Sequence, residues 1–181
     1  IPIILGYYAR TTRNILAGQQ LPLPEWDDIG GFFSEGLRLF GVALVWALPV
    51  IALWIFSAIS AGMMSLVDSD AARTAGGAAF GLVYCIQIPL GLVLRFVVPV
   101  AMLRSIAEDS FSAGLQFGRV FAMIKANFVN FLLAFLIAFI ASIAGAVGLL
   151  ACFIGIIFTA FWSSLVTAHG YAQAYQLSPV K

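Results

Sequence analysis

Residues 127–175 read NFVNFLLAFLIAFIASIAGAVGLLACFIGIIFTAFWSSLVTAHGYAQAY, a stretch that contains no Asp, Glu, Lys or Arg. A membrane-spanning helix needs about 20 predominantly apolar residues, and this stretch is long enough for two of them. A glycine-containing segment at residues 145–148 divides it. The sequence therefore predicts two spans, at residues 127–145 and 150–175, joined as a tight helical hairpin.

Two further apolar runs precede this hairpin, and we predict spans at residues 37–67 and 76–103 with a polar connector at residues 68–74. The chain is 62% hydrophobic and 9% charged, whereas a soluble domain carries about 25% charged residues. Since so few polar side chains cannot cover a water-facing surface, lipid must cover much of it. The expected fold is all-α: a polytopic transmembrane helical bundle that forms one domain over residues 1–181.

Two stretches outside the four spans have an amphipathic pattern. Residues 1–36 are interpreted as an N-terminal segment in the cytoplasm or at the membrane interface, and residues 108–126 as an interfacial helix. Apolar residues recur at helical spacing in each: Ile29, Phe33, Leu37 and Phe40 in the first, Phe117, Val120, Phe121 and Ile124 in the second. The expected N-caps are Asp27 or Asp28 for the first helix and Asp109 or Ser110 for the second.

The basic residues predict the orientation. One side of this topology holds seven of them: Arg10, Arg13, Arg38, Arg104, Arg119, Lys125 and Lys181. Arg73 lies on the other side, so the positive-inside rule places the arginine-rich side and the C-terminus in the cytoplasm. The apolar start, Ile1-Pro2-Ile3-Ile4-Leu5, is too short to span. It is either the product of processing or the tail of a further N-terminal span.

Arg95 is the most informative single residue for function. It lies inside the second span, nine residues before Arg104, which puts it roughly 13 Å deep at 1.5 Å per residue. A charge at that depth is a functional-site hypothesis by default. In this topology its partner is a helix carbonyl, Gln87, a lipid phosphate or a carboxylate of another subunit. Snorkelling to the interface is the structural alternative.

Catalytic and cofactor chemistry is not expected from this sequence. All eight acidic residues fall in connectors or interfacial helices, and no paired carboxylates or metal-ligand spacings occur within a span. His169, the single histidine, is a weak candidate ligand for haem or a pigment, because a histidine in this position more often makes a hydrogen bond at a helix end. We therefore predict no enzyme, no metal and no cofactor other than bound lipid. The net charge of +1 also excludes an electrostatic nucleic-acid site.

Small and aromatic residues indicate how the helices pack. Ala134, Ala138, Ala141, Ser142 and Gly145 give one side of the third span a low profile, which favours close helix contacts. Three aromatic residues near predicted interfaces or helix ends are expected to act as headgroup anchors: Trp26, Tyr171 and Tyr175. A weak internal repeat, an interfacial helix followed by a hairpin in each half, would suit a transporter.

Three segments carry a family resemblance: the opening Gly6-Tyr7-Tyr8-Ala9-Arg10, then Leu23-Pro24-Glu25-Trp26-Asp27-Asp28, and the closing Ala168-His169-Gly170-Tyr171 to Tyr175. Together they resemble an uncharacterised family of bacterial and archaeal integral membrane proteins. The resemblance spans nearly the whole chain. It implies a multi-pass protein of the prokaryotic cytoplasmic membrane with a further helix before Ile1. It brings no activity, cofactor or catalytic residue.

The function expected from these features is that of a non-enzymatic accessory or structural subunit of a larger membrane assembly, with the lipid bilayer and other membrane subunits as partners. Minimal soluble parts and the absence of acid–base clusters within the spans motivate this hypothesis. The alternative is a small transporter, channel or lipid-handling protein. Gln87, Arg95 and the prolines within spans, Pro49, Pro89 and Pro99, favour that alternative.

Overall fold

A computed structural model describes residues 2–20, 22–65, 69–147 and 152–179 of the chain. Within these residues the secondary structure is helical and contains no strand. The helices are α1 (Pro2–Leu16), α2 (Ile29–Ser65), α3 (Asp70–Ala107), α4 (Phe111–Gly114), α5 (Phe117–Ala126), α6 (Phe128–Val147) and α7 (Cys152–Gln176). The all-α prediction is therefore confirmed.

Three of the described helices are long and apolar enough to cross a membrane. The candidate spans are Ile29–Met64, Thr74–Ala107 and Phe128–Ala146, with mean hydropathies of 2.4, 2.0 and 2.4. A lipid bilayer is the environment that suits such surfaces, so the chain has the character of a multi-pass membrane protein. The fourth predicted span corresponds to α7, a helix of 25 residues. That α7 crosses the membrane stays a prediction.

The helix boundaries differ from the predicted ones at three junctions. α2 runs without interruption from Ile29 to Ser65, so the predicted division at residue 37 is not a helix end. α3 begins at Asp70, inside the predicted connector at residues 68–74, and α6 continues through Val147, past the predicted turn at Gly145. In each case the local sequence has no proline to stop the helix. An apolar environment also favours continuation, because backbone N–H and C=O groups there must form hydrogen bonds within the helix.

The predicted interfacial helix at residues 108–126 is two helices. α4 and α5 are separated by Leu115 and Gln116, and Ser110 is the N-cap of α4 without a side-chain hydrogen bond to it. At the start of α2, Asp28 is the N-cap, since its Oδ1 accepts a hydrogen bond of 2.8 Å from the Gly31 amide. The N-terminal segment at residues 1–36 also contains a helix of its own, α1, which includes most of the apolar start and continues to Leu16.

The chain divides into two compact units, and the first comprises residues 1–43 and 97–181. Here α6 packs closely against α7 through the small residues that the sequence singled out. A methyl group on Gly145 would lie 3.5 Å from the Thr159 carbonyl, and one on Gly170 would lie 3.8 Å from Ala134. The Thr159 hydroxyl donates to the Gly145 carbonyl at 2.7 Å. These contacts hold α6 against α7.

The second unit, residues 44–96, is built from the C-terminal part of α2 and the N-terminal part of α3. Both helices continue through their prolines, Pro49 and Pro89. Between them lies a small cavity of about 70 Å³. Its two serines, Ser57 and Ser60, donate to carbonyls of their own helix at 2.8 Å. Both hydroxyls are thus bonded within α2, and the rest of the lining is apolar.

Candidate functional site

The two intramembrane polar candidates lie in the second unit and differ in exposure. Gln87 is buried, with 7% of its surface exposed, and its amide nitrogen has no hydrogen-bond partner among the described residues. Arg95 is exposed. Eight residues separate them along α3, a rise of about 12 Å, so the two side chains are two turns apart rather than adjacent.

His169 is exposed near the C-terminal end of α7. Its Nε2 lies 2.9 Å from the side-chain amide nitrogen of Gln173, one turn further along. Among the described residues, no group of three or more His, Cys, Asp and Glu side chains is placed to hold a metal ion. The hydrogen bond is the helix-surface role that the sequence offered as the structural alternative.

The three predicted headgroup anchors have different environments. Tyr171 is fully buried and Tyr175 is nearly so, which contradicts their placement as anchors because a belt residue presents its ring to the headgroups. Both belong to the face of α7 that packs into the first unit. Trp26 remains about half exposed, at 53%, and is the one predicted anchor that keeps an accessible ring.

A cluster of ion pairs, not predicted from the sequence, joins α1, the start of α2 and the end of α3. We call it the arginine cluster, and it consists of Arg10, Arg13, Arg38, Asp28, Glu35 and Asp109. Arg10 donates to Asp28 at 2.5 Å and to Glu35 at 2.9 Å. Arg13 lies 3.3 Å from Glu35 and 2.9 Å from Asp109, and Arg38 lies 2.6 Å from Asp109. Each carboxylate of the cluster thus bonds at least one guanidinium.

Asp109, which accepts hydrogen bonds from two arginines, has an unusual backbone conformation. Its φ is +47°, in the left-handed region that favours glycine. Its amide bonds the Ile106 carbonyl, and the following amide, of Ser110, bonds the Ser105 carbonyl. This pair of bonds is the Schellman arrangement that ends a helix, with Asp109 where glycine is most common. The side chain that glycine would lack is the one that binds Arg13 and Arg38.

An aromatic group lies next to the arginine cluster and contains both parts of the motif that resembled the membrane family. The ring of Tyr7 stacks on that of Trp26 with centroids 4.5 Å apart. Phe32 and Phe161 complete the group at 5.6 and 5.2 Å from Tyr7. The Arg10 guanidinium lies over the Phe32 ring at 4.4 Å. The segment from Gly6 to Arg10 and the segment from Leu23 to Asp28 therefore contact each other.

Glycines let α1 approach α2 at this point. A methyl group on Gly6 would overlap the backbone of Phe32, and one on Gly36 would overlap the backbone of Pro2. Two residues on facing helices therefore have no room for any side chain. The backbone contact brings Arg10 within reach of Asp28 and Glu35, which a wider helix separation would prevent.

A buried arginine pairs with an acid at the end of α3. Arg104 is 2% exposed and donates to Glu108, the residue that follows the last residue of α3. Its Nε has no hydrogen-bond partner among the described atoms. Because a buried charge without a partner is costly, the pair to Glu108 is needed for this helix end to stay inside the protein.

The ion pairs shift the acid–base equilibria of the arginine cluster. The hydrogen bond from Arg10, aided by the Gly31 amide, holds the pKa of Asp28 below its usual value. The hydrogen bond from Arg38 does the same for the pKa of Asp109. The bonds to Asp28 and Glu35 raise the pKa of Arg10 further. The lowered pKa values of Asp28 and Asp109 favour the ionised carboxylates that the ion pairs require.

The first unit also contains an open cavity of about 300 Å³ between α1, α3 and α7. Its lining is Leu5, Tyr8, Pro99, Met102, Ala160, Ser163, Ser164 and Thr167. The hydroxyls of Ser164 and Thr167 donate to carbonyls of α7, so the wall offers few free polar groups and no charged one. A volume near 300 Å³ is at the lower limit for ligand sites.

The chain matches a protein family over most of its length. The model of a family described as "Protein of unknown function (DUF4013)" matches residues 1–167. Neither the curated proteins nor the solved structures contain a significant match to the chain.

Proposed function

We propose, from the premise that this chain belongs to the DUF4013 family of unknown function, that it is a non-enzymatic accessory or structural subunit of a larger membrane protein assembly. Membership confirms the resemblance to an uncharacterised family and supplies no activity. The proposal therefore stands on physical arguments about the surfaces of the protein.

The observation that carries the proposal is the exposure of the two-helix unit at residues 44–96. Three of its described side chains are buried, those of Trp46, Ser57 and Gln87. Large apolar side chains cover its remaining faces: Leu44, Leu48, Trp54, Ile55, Phe56, Ile59, Met63, Leu82, Tyr84, Ile86, Ile88, Leu92 and Val93. Lipid can cover such a surface, and so can the apolar helices of another membrane subunit, which would pack against it through dispersion contacts.

In the proposed arrangement four helices cross the bilayer: α2, α3, α6 and α7. The short helices α4 and α5 lie at the interface, and the arginine cluster faces the cytoplasm with the C-terminus. The distribution of basic residues supports this orientation. The arginine cluster then fastens α1 to the spans at the cytoplasmic surface, where its charges remain close to water.

Absence of catalysis is part of the proposal. The acids of the arginine cluster are committed to arginines, and His169 bonds its neighbour on an exposed helix face. A catalytic site instead needs a base or nucleophile aimed at a space that substrate can fill. Bound lipid is the expected small-molecule partner, and neither haem nor pigment is required.

Site-directed photo-crosslinking in native membranes tests the subunit proposal. Benzoylphenylalanine at Ile59 or Leu82 places a reactive group on the two-helix unit, and the similarly exposed Leu133 and Ile137 of α6 are matched controls. Expected is a crosslink from Ile59 or Leu82 to one protein of defined mass, with α6 giving lipid adducts. Lipid adducts alone at all four positions would reject the proposal.

A lipid-handling or transport function is the second candidate, and the open cavity of about 300 Å³ favours it. Its lining suits an apolar ligand better than an ion, because two of its three aliphatic hydroxyls are bonded to the helix backbone. Ser163→Leu would fill the cavity. If the protein moves lipid between leaflets of reconstituted vesicles, that variant should slow the movement, while Ser60→Leu in the second unit should not.

A further inference from the structure

The α5 helix presents three distinct faces. Val120, Met123 and Ile124 are buried against the protein. Phe117 and Phe121, one turn apart, are exposed at 49% and 43%. Lys125 continues this exposed row one turn later, and Arg119 projects from the other side of the helix. An exposed pair of phenylalanines beside exposed cations is the composition of a helix at a membrane surface.

Packing places α4, the short helix that leads into α5, at the level where the long helices change from charged to apolar. The ring of Phe111 would lie 3.0 Å from a methyl group on Gly41. A methyl group on Gly114 would meet Val42 at 2.9 Å and the Ala101 carbonyl at 3.0 Å. Gly41 lies one turn inside Arg38 on α2, and Ala101 lies one turn inside Arg104 on α3. This is the depth of the headgroups if α2 and α3 span the bilayer.

The charge around α5 is one-sided. No Asp or Glu occurs from Ser110 to Lys181. The two nearest acids along the chain are occupied, Glu108 by Arg104 and Asp109 by Arg13 and Arg38. Arg119 and Lys125 therefore add a positive potential that the neighbouring sequence does not neutralise. At a membrane, the complementary anion is a lipid phosphate.

We infer that α5 is a binding site for anionic phospholipid headgroups, in which Lys125 and Arg119 attract the headgroup charge while Phe117 and Phe121 enter the acyl-chain boundary. Lysine suits the position beside Phe121, because its stem lies along apolar surface while its ammonium reaches the phosphates. Arg119, on the opposite side, strengthens the attraction from the water side. This site is independent of the subunit proposal and would exist in a protein that works alone.

Native mass spectrometry of the full chain in a mild neutral detergent tests the inference. Phosphatidylglycerol and phosphatidylcholine with the same acyl chains are offered in equal amounts, and the retained lipids are counted. The informative variant is Arg119→Gln/Lys125→Gln. The matched control is Arg73→Gln/Lys181→Gln, which removes the same net charge elsewhere, and Arg119→Lys/Lys125→Arg preserves the charge.

The wild type should retain phosphatidylglycerol preferentially. Removal of the two cations should lower this preference by about fivefold for each cation, the effect of one basic residue near an anionic surface. The control and the charge-preserving variant should keep it. Equal retention of the two lipids by the wild type, or an equal loss in the control, would overturn the inference. So would displacement of the lipid by millimolar inorganic phosphate, which would identify a free-anion site.

Discussion

Asp109 accepts a hydrogen bond of 2.6 Å from Arg38 while its own backbone is in the left-handed conformation, with φ at +47°. The side chain thus links the end of α3 to α2, and its second bond, to Arg13, adds α1. A glycine would end α3 with less strain. The Asp109 side chain is therefore not needed to end the helix. It joins three helices, α1, α2 and α3.

Asp109→Asn should lower the free energy of unfolding by about 1 kcal/mol, since it removes two partly exposed ion pairs that contribute roughly 0.2–1 kcal/mol each. Asn tolerates the left-handed backbone, so the change isolates the charge. Asp109→Gly removes the same pairs but relieves the backbone, and its loss should be smaller. Denaturant titration in detergent micelles measures both. If Asp109→Asn is as stable as the wild type, the role assigned to Asp109 is contradicted.

Acidification should weaken the arginine cluster. The folded-state pKa values of Asp28 and Asp109 lie below the ordinary value of 3.8. The unfolded chain therefore binds protons first, so the stabilisation is complete above that value and is lost as pH falls through the lower folded-state pKa values. Melting temperatures of the wild type measured from pH 6 to pH 3 should fall towards the acidic end. The curve for Asp28→Asn/Asp109→Asn should be flatter; parallel curves would refute the assignment.

Gly6→Ala and Gly36→Ala should each destabilise the protein by about 1–3 kcal/mol, the usual range for overpacking. In both cases the added methyl group meets backbone that cannot move aside without separating α1 from α2. Gly81→Ala and Gly91→Ala are matched controls, because nothing lies within 4 Å of the added carbon in either. The control substitutions should be neutral or slightly stabilising. Similar melting temperatures for all four variants would show that the helices have room to spare.

His169→Ala should leave the fold intact, since the ring is exposed and its hydrogen bond is made within one turn of α7. The circular dichroism spectrum should be unchanged, and the free energy of unfolding should change by no more than about 0.5 kcal/mol. The absorption spectrum of the purified protein should also be the same with and without the histidine. Loss of a visible absorption band in the variant would instead identify His169 as a ligand of haem or pigment.

The membrane class could be predicted because hydropathy acts over whole helices and tolerates errors at their ends. The predicted spans at 37–67, 76–103 and 127–145 overlap the three candidate spans of the structure. The helix ends could not be placed, because the stretch around Arg38 and the glycines at 145–148 carry no strong stop signal. Polar residues such as Asp70 can begin a helix as readily as they can form a connector.

The arginine cluster and the aromatic group could not be predicted because both are built from residues far apart in sequence. Arg13 and Asp109 are 96 residues apart, and Phe161 reaches Tyr7 only through the packing of α7 on α1. One signal was present: the Tyr7–Arg10 element and the Trp26–Asp28 element each pair an aromatic residue with a charge. Tyr171 and Tyr175 were misplaced because a position near a helix end does not reveal which face of the helix is buried.

The central claim, that this protein is a subunit of a larger assembly, is tested most directly by purifying it from native membranes in a mild detergent and determining the mass and composition of the intact particle. The account predicts a particle that contains this chain together with at least one other membrane protein in fixed stoichiometry. A monomer or homo-oligomer that carries only lipid would contradict it.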